Sequence, residues 1–168
     1  MRHLKTYGIF ESDMRKDLDY IRSIMSGEQL RAKVLYHLTD MSNMEEIRKK
    51  GIIPKMPKSS VHGGNIKGEK FSGVWLTKFD DIDVIVEEFM LPKKLRTHGV
   101  LFKINVKDLD PKKFVVGIEM PTDLFNKAEA GKKISVNEYL ERSGEVVYLD
   151  TIPVGSIKII DGPFGIKL

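Results

Sequence analysis

The segment 33–54 most constrains what this chain can fold into, because three local signals follow one another in it. Lys33–Leu38 is rich in Val, Leu and Tyr, a composition typical of a buried strand. Ser42 stands three residues before Glu45, which predicts a capping box at the start of a helix. Three basic residues, a glycine and a proline then predict the end of that helix. The segment therefore predicts a strand followed by a short helix, with His37 at the end of the strand, where it can face a cleft.

An earlier helix is predicted near the N-terminus, where apolar residues recur at helical spacing. These residues are Met14, Leu18, Ile21 and Met25, with Ile24 beside them. Ser12 or Asp13 could cap the start of this helix, and Gly27 could cap its end. We expect the helix to pack against the rest of the chain, although an arm that contacts a partner is an alternative.

The remaining patterns predict an α+β protein in which most strands come late in the chain. Helices are predicted at 80–91, from Thr122 to a break at Gly131, and at Val136–Leu140, where Ser135 is the expected cap. Strands are predicted at Gly73–Thr77, Gly99–Val106, Lys113–Ile118, Glu145–Leu149 and Ser156–Ile160.

A long loop is predicted between the helix that ends near Gly51 and the strand that contains Trp75. The loop Lys55–Lys70 is rich in Pro, Gly, Ser and Lys and has no apolar periodicity. Its lysines would suit a phosphate-bearing ligand or RNA, and a solvated loop explains the same composition. It is not a P-loop, because no strand, Gly-rich turn, GK[ST] and helix surround its Gly63–Gly64 pair.

The composition limits the classes of protein that this chain can belong to. A chain of 168 residues with 41% hydrophobic and 31% charged residues is expected to form one soluble domain with a substantial core. The sequence contains neither an apolar run long enough for a bilayer nor a secretory signal, so a cytoplasmic protein is expected. The absence of cysteine excludes disulfides and a cysteine nucleophile. The net charge of +4 permits an anionic partner without requiring one.

Three residues are candidates for chemistry, although each also has an ordinary structural explanation. His37 at a strand end could be a structural histidine, Trp75 could be a core residue, and Glu145 could be a charge at a strand edge. The four histidines are scattered and no H-E-x-x-H motif is present, so no metal site is predicted. No G-x-S-x-G motif supports a serine hydrolase.

Taken together, these residues lie in motifs that resemble the His–aromatic–Glu group of ADP-ribosyltransferases. That group opens with a strand of the pattern L-Y-H-x-T, and its next strand resembles G-V-[YW]-[LF]-T. The chain has Leu35–Thr39 for the first and Gly73–Thr77 for the second. A G-[IL]-x-P step follows the helix that starts near Ser42, at Gly51–Pro54. A late strand opens with Glu145 and runs toward an Ile-Pro step, at Ile152–Pro153. The first motif is also similar to that of DarT-like DNA ADP-ribosyltransferases and of several toxin and phage enzymes.

The resemblance implies a fold and an activity. It implies two small packed sheets, antiparallel or mixed, with flanking helices. It covers roughly 33–160, so we expect an N-terminal helical segment at 1–30 and an ADP-ribosyltransferase-like domain at 31–168. The implied activity is cleavage of NAD between nicotinamide and ribose, with transfer of ADP-ribose to a nucleic acid or protein. NAD would be a substrate, and no metal is implied.

The resemblance also implies a role for each candidate residue. His37 would hydrogen-bond a ribose hydroxyl and hold NAD in place. Trp75, where the family usually has Tyr, would stack on the nicotinamide ring. Glu145 would bond the ribose 2′-hydroxyl and place negative charge near the developing cation. Thr39 would support His37 or touch the adenosine, and Tyr36 is expected to contribute to NAD binding. The loop Lys55–Lys70 would cover the cofactor and meet its pyrophosphate or the acceptor.

The acceptor and two alternative functions stay open at the level of sequence. Ser143 stands two residues before Glu145, where arginine-specific family members usually have Glu, which implies an acceptor other than arginine. One alternative is a tRNA 2′-phosphotransferase-like NAD enzyme, although its Arg-rich site pattern is not evident here. The other is a nucleic-acid- or protein-binding module that keeps the fold without catalysis.

Overall fold

The computed structural model describes residues 14–55, 72–117 and 120–168. The expected loop Lys55–Lys70 and the expected caps Ser12 and Asp13 therefore lie outside the described residues, apart from Lys55. The helices are α1 (Met14–Ile24), α2 (Met44–Lys50), α3 (Ile82–Glu88), α4 (Leu95–His98), α5 (Thr122–Glu129) and α6 (Val136–Ser143). The strands are β1 (Val34–Asp40), β2 (Val74–Thr77), β3 (Gly99–Asn105), β4 (Phe114–Val115), β5 (Glu145–Tyr148) and β6 (Ile157–Asp161).

The α+β layout is confirmed, and the described strands form one six-stranded sheet rather than two. The strand order is β4-β5-β2-β1-β3-β6, and every pairing is antiparallel. The sheet is nevertheless joined unevenly. β1 pairs with β3 along its whole length, whereas β1 and β2 share the single residue pair Tyr36–Thr77. The sheet thus consists of two well-paired halves that meet at one point.

The side chains of the strands alternate between two faces, and each face is covered by helices. On one face, which we name the α2 face, Leu35, Leu76 and Phe102 pack with Met44 and Ile47 of α2. On the opposite face, named the α1 face, α1 packs on β5 and α3 packs on β3. The buried residues there include Ile21, Ile24, Val147, Ile85 and Leu101. The prediction that the N-terminal helix packs against the rest of the chain is confirmed by the burial of Ile21 and Ile24.

The predicted capping box at Ser42 is wrong. The carboxylate of Asp40 instead accepts the backbone N–H of Ser42 at 2.9 Å, and residues 41–43 form a 3₁₀ turn before α2 begins at Met44. The residue before α2, Asn43, makes no side-chain cap. Asp40 also pairs with Lys94 at 3.0 Å. The N–H of Ser42, followed by the ammonium of Lys94, lowers the pKa of Asp40 to about 2. The charge on Asp40 therefore holds the end of β1 against the start of the turn.

Other boundaries differ by a few residues from those predicted. The predicted strand at 113–118 is observed only as β4, and Ile118 lies outside the described residues. The predicted helix at 80–91 is shorter and ends before Met90, which has a φ of 47°. The helix start at Thr122, the break at Gly131 and the Ser135 cap are confirmed. The short helix α4 was not expected from the sequence.

Candidate active site

A cleft opens in the sheet where β1 and β2 separate. Beyond the pair Tyr36–Thr77, the two strands form no further ladder. In place of a backbone hydrogen bond, Nδ1 of His37 lies 2.9 Å from the backbone carbonyl oxygen of Trp75. A histidine side chain thus spans the gap that a regular sheet would close with main-chain pairing.

This cleft, which we name the His37 cleft, has a volume of about 210 Å³. Its walls come from the end of β1, the first turn of α2, the strand-like segment after α2 and the start of β2. The lining residues are His37, Leu38, Thr39, Asn43, Glu46, Ile47, Ile52, Ile53, Lys55, Gly73, Val74 and Trp75. Three of the residues that the sequence singled out for binding, His37, Thr39 and Trp75, therefore meet around one cavity.

The protonation state of His37 follows from its surroundings. Burial lowers the pKa of the imidazole below its ordinary value of 6.5; the Trp75 carbonyl acts in the opposite direction, and the positive charge of Lys55 lowers the pKa further. His37 is therefore neutral near pH 7. Because a carbonyl oxygen can only accept, Nδ1 carries the hydrogen and Nε2 has a free lone pair. The side chain can therefore accept a hydrogen bond from a ligand hydroxyl while its ring is held by the backbone of β2.

We expect this lowered pKa to make folding stability depend on pH through His37. A histidine whose pKa is lower in the folded state than in the unfolded state makes its full contribution to folding stability above the unfolded-state pKa of 6.5. This contribution is lost as the pH falls toward the folded-state pKa. The melting temperature of the wild type should thus fall between pH 7.5 and pH 5 by more than that of His37→Asn. Asparagine can still donate to the Trp75 carbonyl but does not titrate.

The matched control is His98→Gln, because His98 is an exposed histidine at the end of α4. That variant should keep the pH dependence of the wild type. Equal slopes for the wild type and His37→Asn, measured by thermal denaturation in the same buffers, would contradict the assignment.

Thr39 is fixed by a residue that the sequence analysis did not select. Nδ2 of Asn43 donates to the Thr39 hydroxyl oxygen at 2.8 Å. Both residues line the His37 cleft, and Thr39 is half-buried. The signal for Asn43 was its position four residues after Thr39, just before α2, but that spacing became meaningful only once residues 41–43 formed a turn.

Lys55 and Gly73 bring both ends of the intervening segment to the His37 cleft. Their backbones form an antiparallel bridge, with N–H to carbonyl distances of 3.3 and 3.4 Å. The Lys55 ammonium pairs with Glu46 at 2.7 Å. The cleft mouth therefore carries one positive and one negative side chain that are held together.

The Trp75 side chain lies on the α1 face of the sheet, and Trp75 pairs with Val147 of β5. Its side chain is half-buried and packs against the apolar cluster under α1. Gly73 makes room there, because a Cβ on it would lie 2.2 Å from Cγ1 of Val147 and 3.7 Å from Cζ3 of Trp75. Trp75 is thus both a core contact and a wall of the cleft, and its expected stacking on nicotinamide stays a prediction.

Glu145 lies one strand away from the cleft. It opens β5 directly opposite Thr77, so it shares the α1 face with Trp75 and is diagonal to it. Since neighbouring strands lie about 4.8 Å apart, β5 is about 10 Å from β1 at this level. The half-buried Glu145 is thus near the junction of the two sheet halves, although it is not one of the residues given above for the cleft wall.

The start of β5 is held in place by the second sequence motif. The buried Thr77 hydroxyl donates to the carbonyl of Gly144 at 2.7 Å, and the N–H of Lys78 donates to the same oxygen at 3.1 Å. Gly144 has a φ of 78° and ends α6, so the chain turns sharply into Glu145. Thr77, the last residue of the motif G-V-W-L-T, therefore positions the carboxylate-bearing strand.

Tyr36 has a different environment from His37. It is opposite Thr77 on one side and Lys103 on the other, and it packs against the cluster of α3 and Leu101. Within the described part of the chain, Tyr36 is not among the residues that line the His37 cleft. Its expected role in NAD binding stays a prediction.

A tyrosine that the sequence did not suggest contacts Glu145. The buried Tyr139 of α6 donates its hydroxyl hydrogen to Oε1 of Glu145 at 3.3 Å. In the sequence, Tyr139 is simply one of the apolar positions of α6, and nothing in that pattern indicates a polar contact. The contact depends on how α6 folds back along β5.

Two features are absent from the described residues. In residues 14–55, 72–117 and 120–168, no three His, Asp or Glu side chains are grouped so that they could hold a metal ion. No helix in these same ranges is long and apolar enough to cross a membrane.

Comparison with protein-family models, with curated proteins and with solved structures finds no match for this chain.

Proposed function

We propose that the protein is an NAD-dependent mono-ADP-ribosyltransferase that cleaves the nicotinamide–ribose bond and transfers ADP-ribose to a nucleic acid or protein acceptor in the cytoplasm. One observation carries this proposal. His37, Thr39 and Trp75 line a single cleft at the split in the sheet; His37 and Thr39 extend from β1 on the α2 face, whereas Trp75 and Glu145 are on the α1 face, with Glu145 one strand away from the cleft. The motif resemblance in the sequence selected these residues independently of their positions in space.

The cleft suits one end of the substrate. At about 210 Å³ it is smaller than pockets that enclose a whole drug-sized ligand, about 300–1,000 Å³. We therefore assign the cleft to the nicotinamide and its ribose and place the adenylate outside it. The neutral Nε2 of His37 accepts a ribose hydroxyl, and the Trp75 ring contacts the nicotinamide face.

The chemistry requires stabilisation of positive charge on the ribose. The bond between C1′ of the ribose and the nicotinamide nitrogen breaks, and its electron pair leaves with nicotinamide. The oxocarbenium-like ribose is then attacked by the acceptor, whose proton goes to a nearby base or to water. We assign to Glu145, one strand away from the cleft, the negative charge that stabilises the developing cation at C1′, because a charge fixed by the fold stabilises the transition state without reorganisation.

The environment of Ser143 supports an acceptor other than arginine. Its hydroxyl lies 2.7 Å from the carbonyl of Tyr139 and accepts the N–H of Glu145 at 3.3 Å. Ser143 thus has a structural role at the position where arginine-specific enzymes of the resembling family carry a second glutamate. A neutral or already nucleophilic acceptor, such as a nucleic acid base, does not need that second carboxylate.

The test is transfer of label from NAD that is labelled on its adenylate. Purified protein is incubated with labelled NAD and, separately, with DNA, RNA or protein from a cell lysate. Label on one pool supports the transferase and identifies the acceptor class, whereas nicotinamide release without transfer identifies a NAD hydrolase. If NAD neither binds nor reacts, the proposal is wrong and a binding module takes its place. A requirement for RNA bearing a 2′-phosphate would instead support the phosphotransferase.

A further inference from the structure

The carboxylate of Glu145 rests against a buried hydroxyl. The Tyr139 side chain has no exposed surface, and its hydroxyl oxygen lies 3.3 Å from Oε1 of Glu145. Tyr139 belongs to α6 and Glu145 to β5, and only the tight turn at Gly144 separates the two elements. The contact therefore joins the middle of a helix to the first residue of the strand that follows it.

The space around this contact is closely fitted. A Cβ built on Gly117 would lie 2.5 Å from the Tyr139 hydroxyl oxygen and 3.2 Å from Oε1 of Glu145. The backbone of Gly117 also hydrogen-bonds to the hydroxyl. Because contacts below 3.0 Å force a neighbour to move, only glycine leaves the hydroxyl and the carboxylate in their present positions. The backbone after β4 thus forms a third side of the Glu145 environment.

Tyr139 and Glu145 are also connected through their main chains. The Ser143 hydroxyl donates to the carbonyl of Tyr139 at 2.7 Å, and it accepts the N–H of Glu145 at 3.3 Å. The helix end and the strand start are therefore tied together by a side chain as well as by the turn. This restricts both the backbone and the carboxylate of Glu145.

We propose that Tyr139 is a positioning residue, which orients the carboxylate of Glu145 toward the ribose during ADP-ribosyl transfer. The inference rests on the proposed function and deepens it, because it names a group that acts through the catalytic carboxylate. An oriented carboxylate does not need to reorganise as charge develops on the ribose, and this lowers the barrier to bond cleavage.

The ionisation of Tyr139 is consistent with this role. Burial, and then the negative charge of Glu145, raise the pKa of the Tyr139 hydroxyl well above its ordinary value of 10.0. The hydroxyl therefore keeps its hydrogen throughout the physiological range and can always donate it. A hydrogen bond from a neutral donor to an ionised carboxylate is stronger than one between two neutral groups.

The test compares the steady-state kinetics of Tyr139→Phe with those of the wild-type protein, with NAD as the varied substrate. Phenylalanine keeps the buried ring and removes only the hydroxyl. We expect kcat to fall about 10–100-fold, as for the loss of one hydrogen bond to a charged group. KM for NAD should change less than about threefold, because an interaction made mainly in the transition state lowers kcat without affecting ground-state binding.

The matched control is Tyr148→Phe. Tyr148 is also a buried tyrosine, on the same β5 but on the opposite face, and its hydroxyl accepts the N–H of Asp110 at 3.2 Å. This variant should lose some stability and keep kcat within about twofold of the wild type, because its hydroxyl bonds to the backbone of Asp110 on the face of β5 opposite Glu145. A similar drop in kcat for both variants would assign the effect to general loss of packing and overturn the proposal.

A double-mutant cycle gives a second readout. Adding Tyr139→Phe to Glu145→Gln should cause no further loss of activity, because the hydroxyl acts through the carboxylate. Gly117→Ala, which keeps the hydroxyl but displaces it, should lower kcat in the same way. Full activity in Tyr139→Phe, or an equal loss with and without Glu145, would overturn this inference alone. A wild-type protein that does not turn over NAD would overturn the proposed function as well.

Discussion

Replacing Glu145 with glutamine is expected to lower NAD turnover by about 10²–10³-fold, as is typical when one preorganised electrostatic group is removed from an active site. Glutamine has almost the same shape as glutamate and can still contact the Tyr139 hydroxyl through its amide oxygen. The substitution therefore removes the negative charge and little else. The loss should be mainly in kcat, because the charge interacts with the developing cation more strongly than with ground-state NAD.

The control for this prediction is Glu141→Gln. Glu141 is on α6, four residues before Glu145, and its side chain is 79% exposed. Its nearest partner is Lys78, at 3.6 Å, and an exposed pair of this kind contributes little to stability. Nicotinamide release should thus be unchanged in Glu141→Gln and nearly abolished in Glu145→Gln. Equal activity in the two variants, with both proteins folded by circular dichroism, would exclude Glu145 from the chemistry.

The largest expected effect on stability is that of Gly51→Ala. Gly51 ends α2 with φ 77° and ψ −167°, a conformation that is essentially restricted to glycine. In addition, an alanine Cβ would lie 2.1 Å from the carbonyl oxygen of Ile152. That oxygen cannot simply move away, because it accepts the N–H of Ile52 at 2.9 Å. We expect the free energy of unfolding to fall by about 3 kcal/mol or more, and the melting temperature by about 6–12 °C.

Gly131→Ala is the control for a positive φ without a steric contact. Gly131 has the same φ of 77°, but a Cβ built on it would meet no atom within 4 Å. The free energy of unfolding of this variant should therefore fall only by the cost of the backbone conformation, about 1–2 kcal/mol. Urea and thermal unfolding would measure both. If the two alanine variants were equally stable, the contact between Gly51 and Ile152 would contribute nothing.

The Gly51 contact also explains why two short motifs occur together. The step Gly51–Pro54 and the step Ile152–Pro153 meet through reciprocal backbone hydrogen bonds between Ile52 and Ile152, each 2.9 Å long. Ile52 and Ile53 then form part of the His37 cleft wall. A substitution that displaces this segment should accordingly disturb the cleft as well as the fold.

Local patterns in the sequence were sufficient to predict where most helices and strands form. Helical spacing in α1, the Ser135 cap and the Gly131 break depend on residues within one or two turns of each other. The motif resemblance, which also depends on short segments of sequence, selected His37, Thr39 and Trp75, which line one cleft. Each of these properties follows from a few neighbouring residues, so the sequence alone could determine it.

The cap before α2 was predicted wrongly because two local hydrogen-bonding arrangements are compatible with the sequence. Ser42 with Glu45 and Asp40 with Ser42 are both plausible caps from sequence. Lys94, 54 positions after Asp40, pairs with the Asp40 carboxylate and favours the second arrangement. A contact between distant parts of the chain thus adds to the local hydrogen bond of Ser42 in favouring this arrangement.

The sequence alone determined the kinds of secondary structure and the residue types at the cleft, while the tertiary structure decided how they meet. That β1 and β2 share only the pair Tyr36–Thr77, and thereby leave a cleft, depends on strand register across the sheet. That Tyr139 contacts Glu145 depends on how α6 packs on β5. The physical reason is that local patterns report which residues are apolar and which backbone shapes are allowed, whereas register and packing are set by the summed contacts of residues far apart in the chain.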